Sequence, residues 1–283
     1  MNKIDTNSIK IGKIIPASLA GIVFALILGY IYAAFSTYMP IIYFNVIAGV
    51  IVGVIISYLV RFLAYVFIIR SLANKLIISF ILALFTYYSQ WVAYALFLLM
   101  GSFPDFTTYL SNLDLGTQPV FYQLIADLNT HGNWNIFGIT FKDFALSLVW
   151  LFEAGILLLV PLWLVFHTET PPFSERYNQW YPKYKLSKKF KSKLAKSQLV
   201  KKLDEDALQL LDEMGYGSDM NHLRIYIYYL ENESGQYISI ESVQSGTKGK
   251  VKQKMLADRH KIDKNTARNI LKKYKHKKDF FNF

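Results

Sequence analysis

Four long apolar stretches occupy the first 170 residues, and a lysine-rich segment of more than a hundred residues follows them. The stretches read Ile14–Phe35, Ile41 to about Val60, Leu76–Met100 and Phe144–Phe166. Each has at least about 20 residues, enough for a helix to cross a hydrocarbon layer roughly 30 Å thick. The second run continues past Arg61 as Phe62–Ile69, too short to cross alone, so it reads as one helix leaving the membrane near Arg61. The expected fold is an α-helical membrane protein. A four-transmembrane-helix bundle occupies 1–167, with an outer loop at 101–143, and a small basic α+β cytoplasmic domain occupies 168–283.

Charge is divided as sharply as hydrophobicity. The chain of 283 residues is 53% hydrophobic yet carries a formal net charge of +11. Residues 168–283 hold 24 of the 31 Lys and Arg and 14 of the 20 acids, so this segment is about +10 and the rest nearly neutral. Positive charge also sets orientation. Lys3, Lys10 and Lys13 precede the first span, Arg61, Arg70 and Lys75 flank the turn between the second and third, and the basic segment follows the fourth. The opposite side has the turn Ser36–Pro40 and the loop Gly101–Asp143, where Asp105, Asp114, Asp127 and Asp143 face a single Lys142. Both termini are therefore expected in the cytoplasm, with the spans in a bacterial inner membrane. The first apolar run is too long for a signal-peptide core and lacks a small-x-small cleavage end. Cysteine is absent, which removes disulfides, thiolate metal sites and cysteine nucleophiles.

Within the outer loop, Pro119 opens Val120–Leu128, whose apolar residues fall near helical spacing, and Asn129–Gly132 ends it. Phe103, Phe106, Tyr109, Trp134 and Phe137 are expected at interfacial depth. A segment lying on the outer leaflet accounts for these residues, and a ligand-binding lid is the other reading.

Small residues recur every fourth position in the first span, at Ala17, Gly21, Ala25, Gly29 and Ala33, and in the second, at Gly49, Gly53 and Ser57. Residues four apart share a helix face, and small ones let backbones approach closely. The spacing predicts a tight antiparallel hairpin of spans one and two packed through these ridges. Glu153 is the only acid within a span, about 20 Å from the inner end of its helix. Gln90 falls at a similar depth. A mid-membrane carboxylate is costly and faces protein or water, so Glu153 is expected to hydrogen-bond Gln90 or Tyr87. It then serves either as a polar clasp between helices or as a proton or cation relay. Pro161 is a candidate kink in the fourth span.

The cytoplasmic segment begins at Pro171 and Pro172, which no helix continues through. Lys183–Lys202 contains nine lysines, and Leu186, Phe190, Leu194 and either Gln198 or Leu199 fall about one turn apart, predicting an amphipathic basic helix. Leu203–Gly215 predicts a second helix ended by glycine. Leu223–Leu230 and Tyr237–Val243 alternate as strands around the turn Asn232–Gly235, and Lys248–Met255 is a candidate third strand after Gly246. Asp263–Tyr274 predicts a final helix capped by Asp263.

Pro172–Trp180 has the form C-x-x-C-x-x-W of a zinc-ribbon knuckle, with Ser174 and Tyr177 where cysteines would stand, and Asn232–Tyr237 is similar to the second knuckle. In this the chain resembles a family of uncharacterised bacterial multi-span membrane proteins with a zinc-ribbon-like cytoplasmic tail. The resemblance implies a ribbon fold that has lost its metal, because without thiolates the site does not hold zinc tetrahedrally.

No nucleophile elbow, phosphate loop or metal-ligand spacing occurs in the sequence, so no catalytic residue, metal or cofactor is assigned and no enzyme activity is expected. The leading reading is a membrane protein that anchors a basic module. Candidate anionic-surface residues are Lys185, Lys188, Lys189, Lys191 and Lys193. Their partners would be anionic lipid headgroups, at about 1 kcal/mol per well-placed lysine, a protein partner or a second copy of the chain, or a nucleotide or nucleic acid. The alternatives are an oligomeric channel or membrane-perturbing effector gated by the cytoplasmic domain, and a small transporter.

Overall fold

Long runs of apolar residues extend as helices until a turn signal such as Gly101 stops them. A computed structural model of the chain describes residues 11–39, 42–132, 134–136, 139–245 and 251–279. The expectations placed on Lys3, Lys10, Pro40, Ile41, Phe137, Gly246 and Lys248, and on the side chain of Trp134, lie outside the described residues. The elements in order are α1 (Ile11–Tyr38), α2 (Ile42–Val66), α3 (Leu72–Met100), α4 (Phe106–Ser111), a 3-10 turn (Leu113–Thr117), α5 (Pro119–His131), the hairpin β1 (Trp134–Ile136) and β2 (Ile139–Phe141), and α6 (Asp143–Phe166). Among the described residues, α1, α2, α3 and α6 are the four helices long and apolar enough to cross a membrane. Gly101, at φ 69°, ends α3 in the left-handed conformation, and Pro119 opens α5 at its first turn. The second helix runs past Arg61 to Val66.

The four long helices present apolar side chains both inward and outward. Their inner faces bury Ile56, Ile78, Leu82, Leu157 and Val165 completely. Their outer faces expose Leu19, Phe24, Ile31, Ile47, Ile51, Leu151, Leu159 and Trp163.

The small-residue ladders pack, but not against each other. A Cβ on Gly29 would stand 2.3 Å from the Thr86 carbonyl oxygen and 2.6 Å from Ser89, both on α3. One on Gly21 would meet Leu82 of α3 at 2.7 Å and Leu63 of α2 at 2.9 Å. One on Gly53 would meet Val160 at 2.7 Å, and one on Gly49 would meet Ile156 at 3.2 Å, both on α6. Ala17, Ala25 and Ser57 are buried in the same bundle. The expected hairpin of mutually facing ridges is therefore corrected: α1 lays its ladder on α3 and α2 lays its own on α6. A small residue permits close approach without naming the partner. Here larger neighbours on α3 and α6 fill the grooves.

The connection between α3 and α6 is also more buried than expected. Tyr109 of α4 is fully buried, with its ring 5.0 Å from Tyr30 and its hydroxyl 2.6 Å from Ser89 Oγ. Tyr30 donates to the Pro104 carbonyl at 2.8 Å, and Tyr88 donates to that of Leu113. These bonds seat α4 and the 3-10 turn on the bundle instead of leaving Tyr109 at an interface. Asp105 caps α4 by accepting from Thr108 N at 2.9 Å.

The chain divides into two compact units between Glu169 and Thr170. The second contains β3 (Phe173–Ser174), β4 (Gln179–Trp180), β5 (Lys183–Leu186), β6 (Phe190–Lys191), α7 (Lys196–Glu213), β7 (Gly215–Tyr216), β8 (Asn221–Tyr228), β9 (Gly235–Ser245), β10 (Val251–Asp263), α8 (Lys264–Lys273) and β11 (His276–Lys278). The sheet order is β10–β9–β8–β5–β11, antiparallel in the pairs described, with β6 bridging β8 and β7. Ile225, Ile227, Ile238 and Ile240 project from one face onto Leu199, Leu203, Leu210, Leu211 and Ile270 of α7 and α8, forming the core.

The amphipathic helix expected over Lys183–Lys202 is not formed before Lys196. Its lysine-rich start is β5 and β6. Tyr184 and Leu186 turn toward the core while Lys183 and Lys185 turn away, a period of two that sheet pairing on both sides of β5 enforces. The helix beginning at Lys196 kinks at Asp206 (φ −157°), whose carboxylate accepts from Leu208 N and Gln209 N and so caps a new turn. The second helix thus starts later than Leu203. Asp263 caps α8 as expected, accepting from Asn265 N at 2.8 Å and Thr266 N at 3.0 Å.

Gly29→Ala is expected to destabilise the bundle by about 1–3 kcal/mol through overpacking. Gly155→Ala, where a Cβ would meet nothing within 4 Å, should be neutral or gain up to about 1 kcal/mol of helix propensity. Thermal unfolding in detergent compares the two. Asp263→Ala is expected to cost about 1 kcal/mol, read by chemical unfolding of residues 170–283.

Candidate functional site

Polar groups inside an apolar bundle must find one another, and here they gather at one level. Glu153 of α6 holds Oε1 2.7 Å from the Tyr32 hydroxyl of α1 and 2.8 Å from Gln90 Nε2 of α3, both donating to it. Tyr32 Oη also stands 3.3 Å from the main-chain oxygen of Asn45 on α2. All four long helices therefore contribute to one cluster. Gln90 is the expected partner. Tyr87 is not: its ring packs edge-on to Trp91 at a centroid distance of 6.3 Å, and Tyr32 takes the place proposed for it. Tyr32 and Asn45 were not singled out from the sequence, where a tyrosine and an asparagine near helix ends look like ordinary interfacial residues.

A small recess opens beside this cluster, with about 20 Å3 of free space, lined by Tyr32, Asn45, Val46, Gly49, Val149, Phe152, Glu153 and Ile156. Asn45 is 3% exposed, and neither its amide oxygen nor its amide nitrogen has a hydrogen-bond partner; Gln90 Oε1 is likewise unpartnered. Buried polar groups of this kind cost about 1–3 kcal/mol each when unpaired.

A larger apolar groove of about 780 Å3 lies between α3, α5 and α6, lined by Leu84, Phe85, Tyr87, Tyr88, Trp91, Phe121, Ile125 and Trp150. Trp91 and Trp150 cross at 90° with centroids 5.2 Å apart at its wall. Phe121 and Ile125 place α5, the segment expected on the leaflet or as a lid, along its side.

In the second unit, the sheet face opposite the core carries a lysine–tyrosine grid. The register sets Lys261, Tyr237, Tyr228 and Lys183 in one row across four strands, and Ser239, Tyr226, Lys185 and Lys277 in the next. The tyrosines are not open for base stacking. Tyr226 and Tyr228 are buried in a cluster with Tyr177, Tyr181, Tyr237 and Leu230, and Lys183 Nζ lies 4.0 Å from the Tyr226 ring centroid. Lys185 and Lys277 are exposed and directly opposed. Like charges so placed destabilise a sheet unless an anion lies between them.

The other lysines expected at an anionic surface are scattered. Lys188 donates to the Met214 carbonyl at 3.3 Å and sits among the rings of Phe190, Tyr216 and Tyr274. Lys189 pairs with Asp219. Lys191 and Lys193 line a shallow recess beside the Lys202–Glu213 ion pair. The two knuckle-like stretches meet: Ser174 Oγ donates to Glu233 and accepts from Tyr177 N at 3.1 Å, while the Tyr181 hydroxyl donates to the Gly235 carbonyl at 3.0 Å. Among the described residues no group of three His, Asp or Glu gathers to hold a metal ion.

Hydrogen bonds from Lys273 (2.7 Å) and Tyr274 (2.6 Å) hold the Asp212 carboxyl below the usual range, and the bond to Lys189 does the same for Asp219. Asp263 is lowered by its bonds to Thr266. Depressed carboxyls stabilise the fold above their unfolded values, near pH 4, and that contribution disappears as pH falls through the folded values. The unfolding midpoint of residues 170–283 is therefore expected to hold steady from pH 7 to about 5 and to drop below about 4. In Asp212→Asn that drop should be shallower. In the bundle, Tyr32→Phe should cost about 1–3 kcal/mol by leaving the carboxylate short of a donor, whereas Tyr87→Phe should leave the unfolding temperature in detergent nearly unchanged.

Comparison of the whole chain with known protein families, with curated proteins and with solved structures finds no match in any of the three.

Proposed function

We propose that this chain is an integral membrane protein whose four long helices anchor a basic cytoplasmic module, and that the module binds an anionic surface, the headgroups of the adjoining leaflet first among them. The apolar outer faces of α1, α2, α3 and α6 support the anchoring: a helix that is apolar on every side is at home in hydrocarbon. The bias of basic residues supports termini in the cytoplasm of a bacterial cell.

The observation that carries the binding role is the opposition of Lys185 and Lys277 on a sheet face that also presents Lys183 and Lys261. Neither Lys185 nor Lys277 forms an ion pair among the described residues. A sheet tolerates such a pair at a cost in stability, and a phosphate or carboxylate bridging the two ammonium groups removes it. Lysine, a compact charge on a flexible stem, suits headgroups of varied geometry. No catalytic step is part of this reading.

Residues 170–283 have a core of their own, so the module can be tested apart from the bundle. It should cosediment with vesicles containing anionic phospholipid, weaken steeply with added salt, and lose most of its binding in Lys185→Glu/Lys277→Glu. Equal binding to neutral vesicles, or an unaffected double variant, would contradict the proposal.

A further inference from the structure

We infer that the recess beside Glu153 is a binding site for one small monovalent cation, held by the carboxylate of Glu153 and the side-chain oxygen of Asn45. This rests on the four long helices lying in lipid and is independent of what the cytoplasmic module binds.

Three observations converge on it. First, Glu153 brings a formal negative charge into the spans, and the bases of those helices stand at the other end of the bundle. Lys75 precedes Gln90 by four turns of α3, about 22 Å along the axis, and Lys13 precedes Tyr32 by about 28 Å on α1. The donors that reach Glu153, Tyr32 and Gln90, are neutral. A carboxylate in an apolar medium either takes up a proton or requires a compensating positive charge. Second, both hydrogen bonds fall on Oε1, so Oε2 is left for another ligand. Third, Asn45 is more than nine-tenths buried, lines the recess and has no partner for its amide oxygen.

Size and access select the ligand. The recess has room for about one water-sized body. Carboxylate and amide oxygens are hard ligands suited to alkali cations, and one carboxylate balances one positive charge. Asn45 lies within a turn of the start of α2, and Tyr32 within two turns of the end of α1. Toward the other end the bundle is filled by Ile56, Val60, Leu63, Ile78 and Leu82. The site is thus closed toward that end, as befits binding and not conduction.

The full chain, purified in detergent, tests this. Its unfolding temperature is measured in sodium, lithium, potassium and choline chloride at equal ionic strength, and sodium binding to the same samples is followed by 23Na relaxation. Sodium or lithium should raise the unfolding temperature by several degrees relative to choline, with saturation, and should broaden the 23Na resonance. Glu153→Gln keeps an acceptor for Tyr32 and removes the charge, so both effects should vanish. Asn45→Ala should weaken the apparent affinity roughly tenfold or more. Asn45→Asp, which adds a charged oxygen ligand, should hold or tighten it. Equal unfolding temperatures in all four salts with no 23Na broadening in the wild-type protein would overturn the proposal. So would a shift that follows pH alone, which marks a bound proton, or a sodium effect that persists in Glu153→Gln.

Discussion

The bond between Glu153 and its two donors is the interaction around which the bundle is arranged. Apolar side chains alone would let helices of this kind slide and rotate, because one apolar contact is much like another. A carboxylate cannot be left in that surrounding, so α6 must present Glu153 toward Tyr32 of α1 and Gln90 of α3. That requirement sets the rotation of three helices at one level. The fourth, α2, is brought to the same level by the main chain and side chain of Asn45.

Close packing completes what the polar cluster begins. At Gly29, where a Cβ would stand 2.3 Å from the Thr86 carbonyl oxygen, the α1 and α3 backbones come close together, one turn from the Glu153 level. Gly53 lets the side chains of Val160 and Pro161 of α6 approach the α2 backbone. The proline in α6 therefore sits at a helix contact, where its ring packs against α2, and α6 continues through it to Phe166. Tyr109 carries the polar chain one step further, joining Ser89 and the Leu26 carbonyl to a segment outside the long helices.

The four helices were legible because hydrophobic run length is a property of the local sequence, and so was the Asp263 cap, which needs only its next three residues. The glycine ladders were legible as packing faces, but the partner was not: α1 meets α3 more than fifty residues on, and nothing in a small side chain says which groove it enters. The stretch from Lys183 misled because Leu186, Phe190 and Leu194 fit a helical repeat while Tyr184 and Leu186 also fit a strand. The choice is made by β8 and β11, whose residues are distant in the chain. Glu153 was visible as the lone acid of the spans. Tyr32 and Asn45 were not, because only the fold reveals that they share its depth. Their common signal was polarity in the outer third of otherwise apolar helices.

The roles proposed for the polar cluster and the basic module both rest on the proposal that the four helices cross one bilayer with residues 170–283 on the cytoplasmic side. The absence of native cysteine makes this directly measurable. Single cysteines at the exposed positions Thr117 and Ser187 can be probed with a membrane-impermeant thiol reagent on intact cells and again after permeabilisation. Thr117→Cys should label in intact cells, and Ser187→Cys only after the membrane is opened. Labelling of both positions in intact cells, or of neither, would contradict the four-span arrangement and the binding roles assigned on it.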